Sequence, residues 1–162
     1  AMCRAYPLLN LHPALPDGPI GTWQEVIWQL IQSGAPKTGA MMHLATEDVD
    51  RGPVVSYGTV PITGGSFASH WAELGRQDLG WAQAGQGEEF PLFQLIRQAQ
   101  YQREPYLLFE TLRAVAAGQV ILKEGQVLDR EGKPLSLTAP MGRCLDPEIE
   151  LAMAEDGLRP IE

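Results

Sequence analysis

The chain has 162 residues, 44% of them hydrophobic, and a net charge of −8. This length supports one compact domain with a real core. The chain is acidic and shows no stripe of basic residues, which argues against a protein that binds nucleic acid. No apolar run approaches the roughly 20 residues that a membrane span needs. With two cysteines, Cys3 and Cys144, and no secretion signal at the start, we expect free thiols and a cytoplasmic protein.

The first third of the chain predicts a strand, a stiff loop and a helix. Residues 6–11 indicate a short buried strand, and the proline-rich residues 12–19 favour a rigid loop. Residues 22–33 carry apolar side chains at helical spacing. Thr22 and Glu25 form a Thr-x-x-Glu capping box at the start of this helix.

Two strands and a polar loop follow. Residues 38–45 and 54–62 predict strands, joined by the loop of residues 46–53. A connection of about eight residues is most easily built between antiparallel strands. Beyond them, apolar residues at helical spacing predict a helix capped by Ser66, although the glycines in this segment indicate breaks.

A long helical segment covers residues 91–117, and Pro105 inside it predicts a kink or a division. A hairpin over residues 119–130, a short strand at residues 135–137 and a helix with Asp146 as its N-cap complete the chain. The order of elements predicts an α/β fold, a three-layer arrangement with helices on the faces of a sheet. Residues 145–162 carry six acids and one arginine and are interpreted as an acidic tail.

Asn10 and His12 are the first candidates for chemistry. They lie two residues apart at the end of a strand, so both side chains can share one face. On spacing alone, a loop amide and an edge histidine are the better interpretation. Asp50, in a polar turn, and His43, alone on a strand, are also better explained as structural residues when each is taken by itself.

Together, an amide, an imidazole and a carboxylate provide the parts for acyl transfer to an amine. The amide can donate to a developing oxyanion, the imidazole can act as acid or support, and the carboxylate can accept a proton. His12, His43 and His70 lack metal-ligand spacing, so the sequence predicts no metal site.

Two segments resemble a known family. Leu8-Leu9-Asn10-Leu11-His12-Pro13-Ala14-Leu15-Pro16 resembles the active-site segment of folate-dependent formyltransferases, most closely those acting on phosphoribosylglycinamide. His43-Leu44-Ala45-Thr46-Glu47-Asp48-Val49-Asp50-Arg51-Gly52-Pro53-Val54 resembles their second signature. The resemblance implies a formyltransferase-like mixed sheet flanked by helices, and it covers about residues 6–137. It also implies that residues 1–144 form a catalytic C-terminal portion.

The resemblance assigns catalytic roles to Asn10, His12 and Asp50. It places residues Thr46, Glu47, Asp48 and Val49 where the family's loop lines the pteridine pocket. The implied formyl donor is 10-formyltetrahydrofolate. The implied acceptor is a small-molecule amine, with phosphoribosylglycinamide favoured and an amino sugar as an alternative.

Three departures from the family shape the expectation. The chain lacks the family's N-terminal parallel βα half, residues 66–89 form a longer connection, and Arg51 replaces the usual first glycine of a Gly-Gly-Pro turn. A rival hypothesis is therefore a truncated or divergent module that is inactive alone. The absent half should also bare apolar surface, so we expect a homo-oligomer formed through the exposed sheet.

Overall fold

The computed structural model describes residues 6–47, 51–76, 79–135 and 141–161. Four strands form one mixed sheet, and the residue ranges follow in the order in which the strands lie side by side: β1 (Leu9–His12), β2 (Lys37–Leu44), β3 (Val54–Pro61) and β6 (Arg143–Cys144). The β1–β2 and β2–β3 pairs are antiparallel, as predicted for β2 and β3, whereas β6 runs parallel to β3.

Helices flank this sheet, and a separate hairpin follows the longest of them. The α/β class with a mixed, helix-flanked sheet is thus confirmed. The hairpin consists of β4 (Val120–Lys123) and β5 (Gln126–Asp129). The helices are α1 (Trp23–Ser33), α2 (Ala68–Leu74), the single turn α3 (Leu79–Trp81), α4 (Pro91–Ala116) and α5 (Asp146–Glu155). Short 3-10 and π turns at Gly65–Phe67, Ala82–Gln86 and Gly87–Glu89 join them.

Helix α1 begins and ends as its sequence predicts. The Thr22 side chain accepts from the Glu25 backbone, and the Glu25 carboxylate accepts from Thr22 in return. At the other end, Gly34 adopts the left-handed conformation with φ of 63°. These local contacts fix the direction in which the chain leaves the loop after β1.

The core has two main parts that meet along α4. One contains α1, the first half of α4 and the end of β3, with Ile27 and Phe93 fully buried. The other contains β2, β3, the second half of α4, the hairpin and α5. Because α4 contributes side chains to both parts, it connects the part of the core around α1 with the part around α5.

The prediction of a division at Pro105 is wrong, since α4 continues through it as one helix. Pro105 is exposed, and so is Tyr101, whose carbonyl loses its helical donor to the proline. Water can bond that carbonyl on the exposed side. The residues before and after Pro105 pack into the two parts of the core, which supports one continuous helix.

Two predicted helix caps are also wrong. Ser66 lies inside a 3-10 turn, and neither that turn nor α2 has a side-chain cap. The N-cap of α5 is Leu145, and Asp146 instead accepts from the Thr59 backbone at 2.6 Å. The Asp146 carboxylate therefore binds the backbone of β3 and does not cap its own helix.

The segment interpreted as an acidic tail contains α5. Its apolar side chains Leu145, Ile149 and Met153 are fully buried in the second part of the core. Arg103 of α4 donates to the Thr59 carbonyl at 2.7 Å and lies 3.7 Å from the Asp146 carboxylate. The strand predicted at residues 135–137 lies mostly outside the described residues.

Candidate active site

The pairing of β1 with β2 brings two histidines and an asparagine onto one face of the sheet. Asn10 lies opposite His43, and His12 lies opposite Met41. Residues opposite each other in a strand pair share a face, as do residues two apart in one strand. Asn10, His12 and His43 therefore form one polar row at the end of β1.

His43 is 1% exposed and holds the Asn10 amide. Its Nδ1 lies 3.1 Å from the Leu44 carbonyl oxygen, so Nδ1 carries the proton and donates to it. Its Nε2 then accepts from Asn10 Nδ2 at 3.2 Å. Asn10 is an exposed residue, so His43 orients the amide of a side chain at the surface.

His12 is buried beneath the loop that it begins. Its Nε2 lies 3.4 Å from the Pro19 carbonyl oxygen, the distance of a weak hydrogen bond in the tautomer that carries a proton there. The loop folds back through a turn in which Gly18 N donates to the Leu15 carbonyl at 2.8 Å. The ring is therefore held between its strand and its own loop.

Two glutamines anchor the ends of this loop to helices. Gln100 of α4 is fully buried and donates Nε2 to the Pro13 carbonyl at 3.0 Å and to the Thr38 hydroxyl at 2.9 Å. Gln29 of α1 donates to the Ile20 carbonyl at 3.2 Å. The loop beside His12 is thus tied to α4, β2 and α1, which makes it a preorganised wall of the site.

The loop between β2 and β3 begins beside the same row. Leu44 N donates to the Pro53 carbonyl at 3.0 Å, and Ala45 N donates to the Leu8 carbonyl at 2.8 Å. Thr46 and Glu47, two of the residues predicted to bind folate, follow directly and are exposed. The other two, Asp48 and Val49, and the predicted catalytic Asp50 lie outside the described residues.

Comparison with solved structures identifies the fold. The phosphoribosylglycinamide formyltransferase of Coxiella burnetii matches over 84% of this chain, with a TM-score of 0.55 and 21% identity. The chain has a formyltransferase fold. No family model and no curated protein sequence matches the chain.

Weaker structural matches bear similar names. A glycinamide ribonucleotide transformylase from Symbiobacterium toebii matches over 74% of the chain, with 23% identity and a TM-score of 0.48. A formyltetrahydrofolate deformylase from Pseudomonas syringae matches over 79% of the chain, with 19% identity and a TM-score of 0.48. This formyltransferase-fold chain spans about half the length of the Coxiella enzyme, 49%. It spans 43% of the Symbiobacterium protein and 35% of the Pseudomonas protein.

Sequence reasoning gave His43 a structural role and did not single out Gln100. The structure places His43 in contact with Asn10, so His43 belongs to the candidate site of this formyltransferase-fold chain. The sequence pattern places His43 on a strand, but it does not give the register that brings His43 opposite Asn10. Nothing in the sequence indicates that Gln100 bonds to Pro13.

Replacing Gln100 with methionine should lower the free energy of unfolding by about 1–2 kcal/mol, because the Pro13 carbonyl and the Thr38 hydroxyl lose a buried donor. The loss is moderated because Gln100 Oε1 is itself buried without a hydrogen-bond partner among the described residues. Urea denaturation measures the change. Gln98→Met, at an exposed position of α4, is the control and should alter stability by less than about 0.5 kcal/mol. Equal effects of the two substitutions would contradict the anchoring role.

Among the described residues of this formyltransferase-fold chain, we find no second cluster of reactive groups. Cys144 is free, and desolvation by burial raises the pKa of its thiol, which disfavours the nucleophilic thiolate. Cys3 lies outside the described residues. Within the described ranges, no group of three His, Cys, Asp or Glu side chains is arranged to hold a metal ion, and no helix is long and apolar enough to cross a membrane.

Proposed function

We propose that this chain carries the catalytic part of an enzyme that transfers a formyl group from 10-formyltetrahydrofolate to a primary amine. The observation that carries the proposal is the Asn10 amide, held by His43 beside the buried His12 at the end of β1. A preorganised donor of this kind is what a developing oxyanion requires. The fold shared with a formyltransferase supports the same conclusion.

The reaction exchanges one carbon–nitrogen bond for another. A bond forms between the amine nitrogen and the formyl carbon, the bond from that carbon to N10 of the folate breaks, and the proton lost by the amine is returned to N10. Asn10 donates an Nδ2–H to the formyl oxygen as negative charge develops there, while its other N–H is directed to His43. His12 supports the same charge or delivers the proton to N10.

The remaining roles follow from the sequence resemblance. We assign Asp50 to orient His12 and to relay the amine proton, directly or through water. When bound, the folate donor supplies the formyl group, and residues 46–49 would hold its pteridine ring. The described part of that loop fits this role, because Thr46 and Glu47 are exposed and the loop begins beside the polar row.

For the acceptor, we propose phosphoribosylglycinamide, with an amino sugar as the alternative. Asn10, His12 and the residues around them resemble the active-site segment of the phosphoribosylglycinamide enzymes. The net charge of −8 disfavours an acceptor carried on nucleic acid. We propose a cytoplasmic setting, where such a substrate would be made and consumed. We also keep the expectation of self-association, whose surface is considered below.

Incubation with 10-formyltetrahydrofolate and phosphoribosylglycinamide, followed by mass spectrometry of the acceptor, tests the proposal. The chain should be assayed by itself and within the longest protein that contains it. We expect formylated acceptor from at least one of them and a loss of most turnover in Asp50→Asn. Turnover near that of the unmodified protein in Asp50→Asn would refute the role of Asp50.

A second candidate function is supported by the length comparison. A chain that spans about half of the Coxiella enzyme can retain a folate-binding surface without completing the substrate site. In that case folate analogues would raise the melting temperature of the chain, but neither form of the protein would yield formylated acceptor. The absence of both product and thermal shift would reject folate binding altogether.

A further inference from the structure

One face of α4 is apolar and exposed over its last four turns. Tyr101 is 63% exposed and Phe109 is 62% exposed, and they lie on this face with three other apolar residues. A helix turns 100° per residue, so these positions share the side opposite the buried Leu107 and Ala114. We call this surface the α4 outer face; it consists of Tyr101, Pro105, Leu108, Phe109 and Leu112.

The apolar character belongs to this part of the helix and not to its whole length. In the first half of α4 the same side carries Gln94 and Gln98, both exposed. The change from amides to large apolar side chains therefore occurs within one continuous helix. A need for solubility does not explain why the exposed side of α4 changes from polar to apolar at the first aromatic residue.

The charged side chains beside the face already have partners within the chain. Glu104 pairs with Arg97 at 2.5 Å, and Arg113 pairs with the buried Glu110 at 2.8 Å. Arg97 also lies against the Tyr101 ring, 5.1 Å from its centroid. A partner that covers the face therefore buries an apolar strip without having to neutralise an unmatched charge at its border.

The area of the face suits a dimer. The exposed fractions of its side chains amount to about 400 Å² per chain, taking 150–250 Å² for each large apolar side chain. Two such faces give about half of the roughly 1,600 Å² in a standard interface, and a polar rim supplies the remainder. That division between apolar core and polar rim is typical of a specific dimer.

We propose that the α4 outer face is the surface through which two copies of this chain associate. A two-fold axis near Leu108 and Phe109 lays the two helices antiparallel, so that each copy buries the same residues. Along the helix, the broad Tyr101 is followed by the smaller Pro105, and the broad Phe109 is followed, beyond Leu112, by the exposed Ala116. This sequence of broad and small side chains allows one copy to fit against another. This inference does not depend on the proposed enzymatic activity.

Sedimentation equilibrium across the micromolar range tests the proposal on the whole chain. We expect a reversible monomer–dimer equilibrium. Phe109→Gln, at the centre of the face, should raise the dimer dissociation constant by about tenfold or more, as for a central aromatic anchor. Leu151→Gln is the matched control, because Leu151 is 63% exposed, close to the 62% of Phe109, but lies on α5, outside the face. It should leave the constant unchanged.

Circular dichroism establishes that each variant is folded, and a second substitution on the face, Leu112→Gln, guards against a misfolded first one. A monomer at all concentrations would overturn the proposal and leave the face for a different partner. Dimerisation unchanged in both Phe109→Gln and Leu112→Gln would overturn it as well. That result would move the interface to another surface, such as the edge of β1.

Discussion

Asn10→Ala is expected to lower kcat for formyl transfer by about 10²–10³-fold, equivalent to roughly 3–4 kcal/mol of transition-state stabilisation. In the proposed mechanism, the alanine removes the amide that donates to the formyl oxygen and that His43 holds in the structure. KM for the amine should change little, because the bond to the formyl oxygen strengthens as charge develops there. Steady-state kinetics with both substrates, on the form of the protein that shows turnover, measures the two constants separately.

The substitution Asn10→Asp tests whether Asn10 acts as a hydrogen-bond donor or only by the size of its side chain. Aspartate has the size of asparagine but places a carboxylate where a donor is needed, so its kcat should fall at least as far as that of Asn10→Ala. Gln32→Ala removes an exposed amide from α1 and serves as the control, with unchanged kcat. Substantial turnover in Asn10→Asp would show that Asn10 does not act as a donor to the reacting oxygen.

The asparagine could be identified from the sequence, whereas its contact with His43 could not. Local patterns predict strands near residues 10 and 43, and these predictions are confirmed. The contact depends on the register between two strands that are separated by a loop and a whole helix, and a shift of one residue would put His43 on the other face. Packing decides that register, and a strand pattern does not.

Gln100 illustrates the same limit over a longer separation. Its place in a helix follows from the local pattern, but its bond to Pro13 joins residues 87 positions apart. The misassigned cap at Asp146 has a similar cause, because Thr59 is also 87 residues away. Sequence reasoning succeeds where the partner is local, as in the Thr22–Glu25 capping box, and fails where tertiary contacts take over a polar side chain.

The turn before β3 shows which departure from the family pattern matters. The resemblance expects two glycines before Pro53, and this chain has Arg51 and Gly52. Arg51 is exposed, so a side chain there can extend into solvent. A Cβ atom at Gly52 would lie 1.6 Å from the Leu44 carbonyl oxygen, much closer than two atoms can approach. The chain has therefore kept the glycine that the backbone requires.

Gly52→Ala should consequently destabilise the protein by about 3 kcal/mol, the upper part of the usual range for an overpacked site. The clash is with backbone, so a side-chain rotation cannot relieve it. The turn must move, and the bond from Leu44 N to the Pro53 carbonyl must lengthen or break. Urea denaturation monitored by circular dichroism measures the loss.

The control for this substitution is Gly75→Ala. Gly75 has φ of −61° at the end of α2, and the nearest atom to a Cβ there is 3.7 Å away. Alanine at this position should leave stability unchanged or raise it by up to about 1 kcal/mol, because it restricts the unfolded chain. If Gly52→Ala proved as stable as Gly75→Ala, Leu44 and Gly52 could not be as close as described. The close approach of Gly52 to the Leu44 carbonyl would then not explain the glycine at this turn.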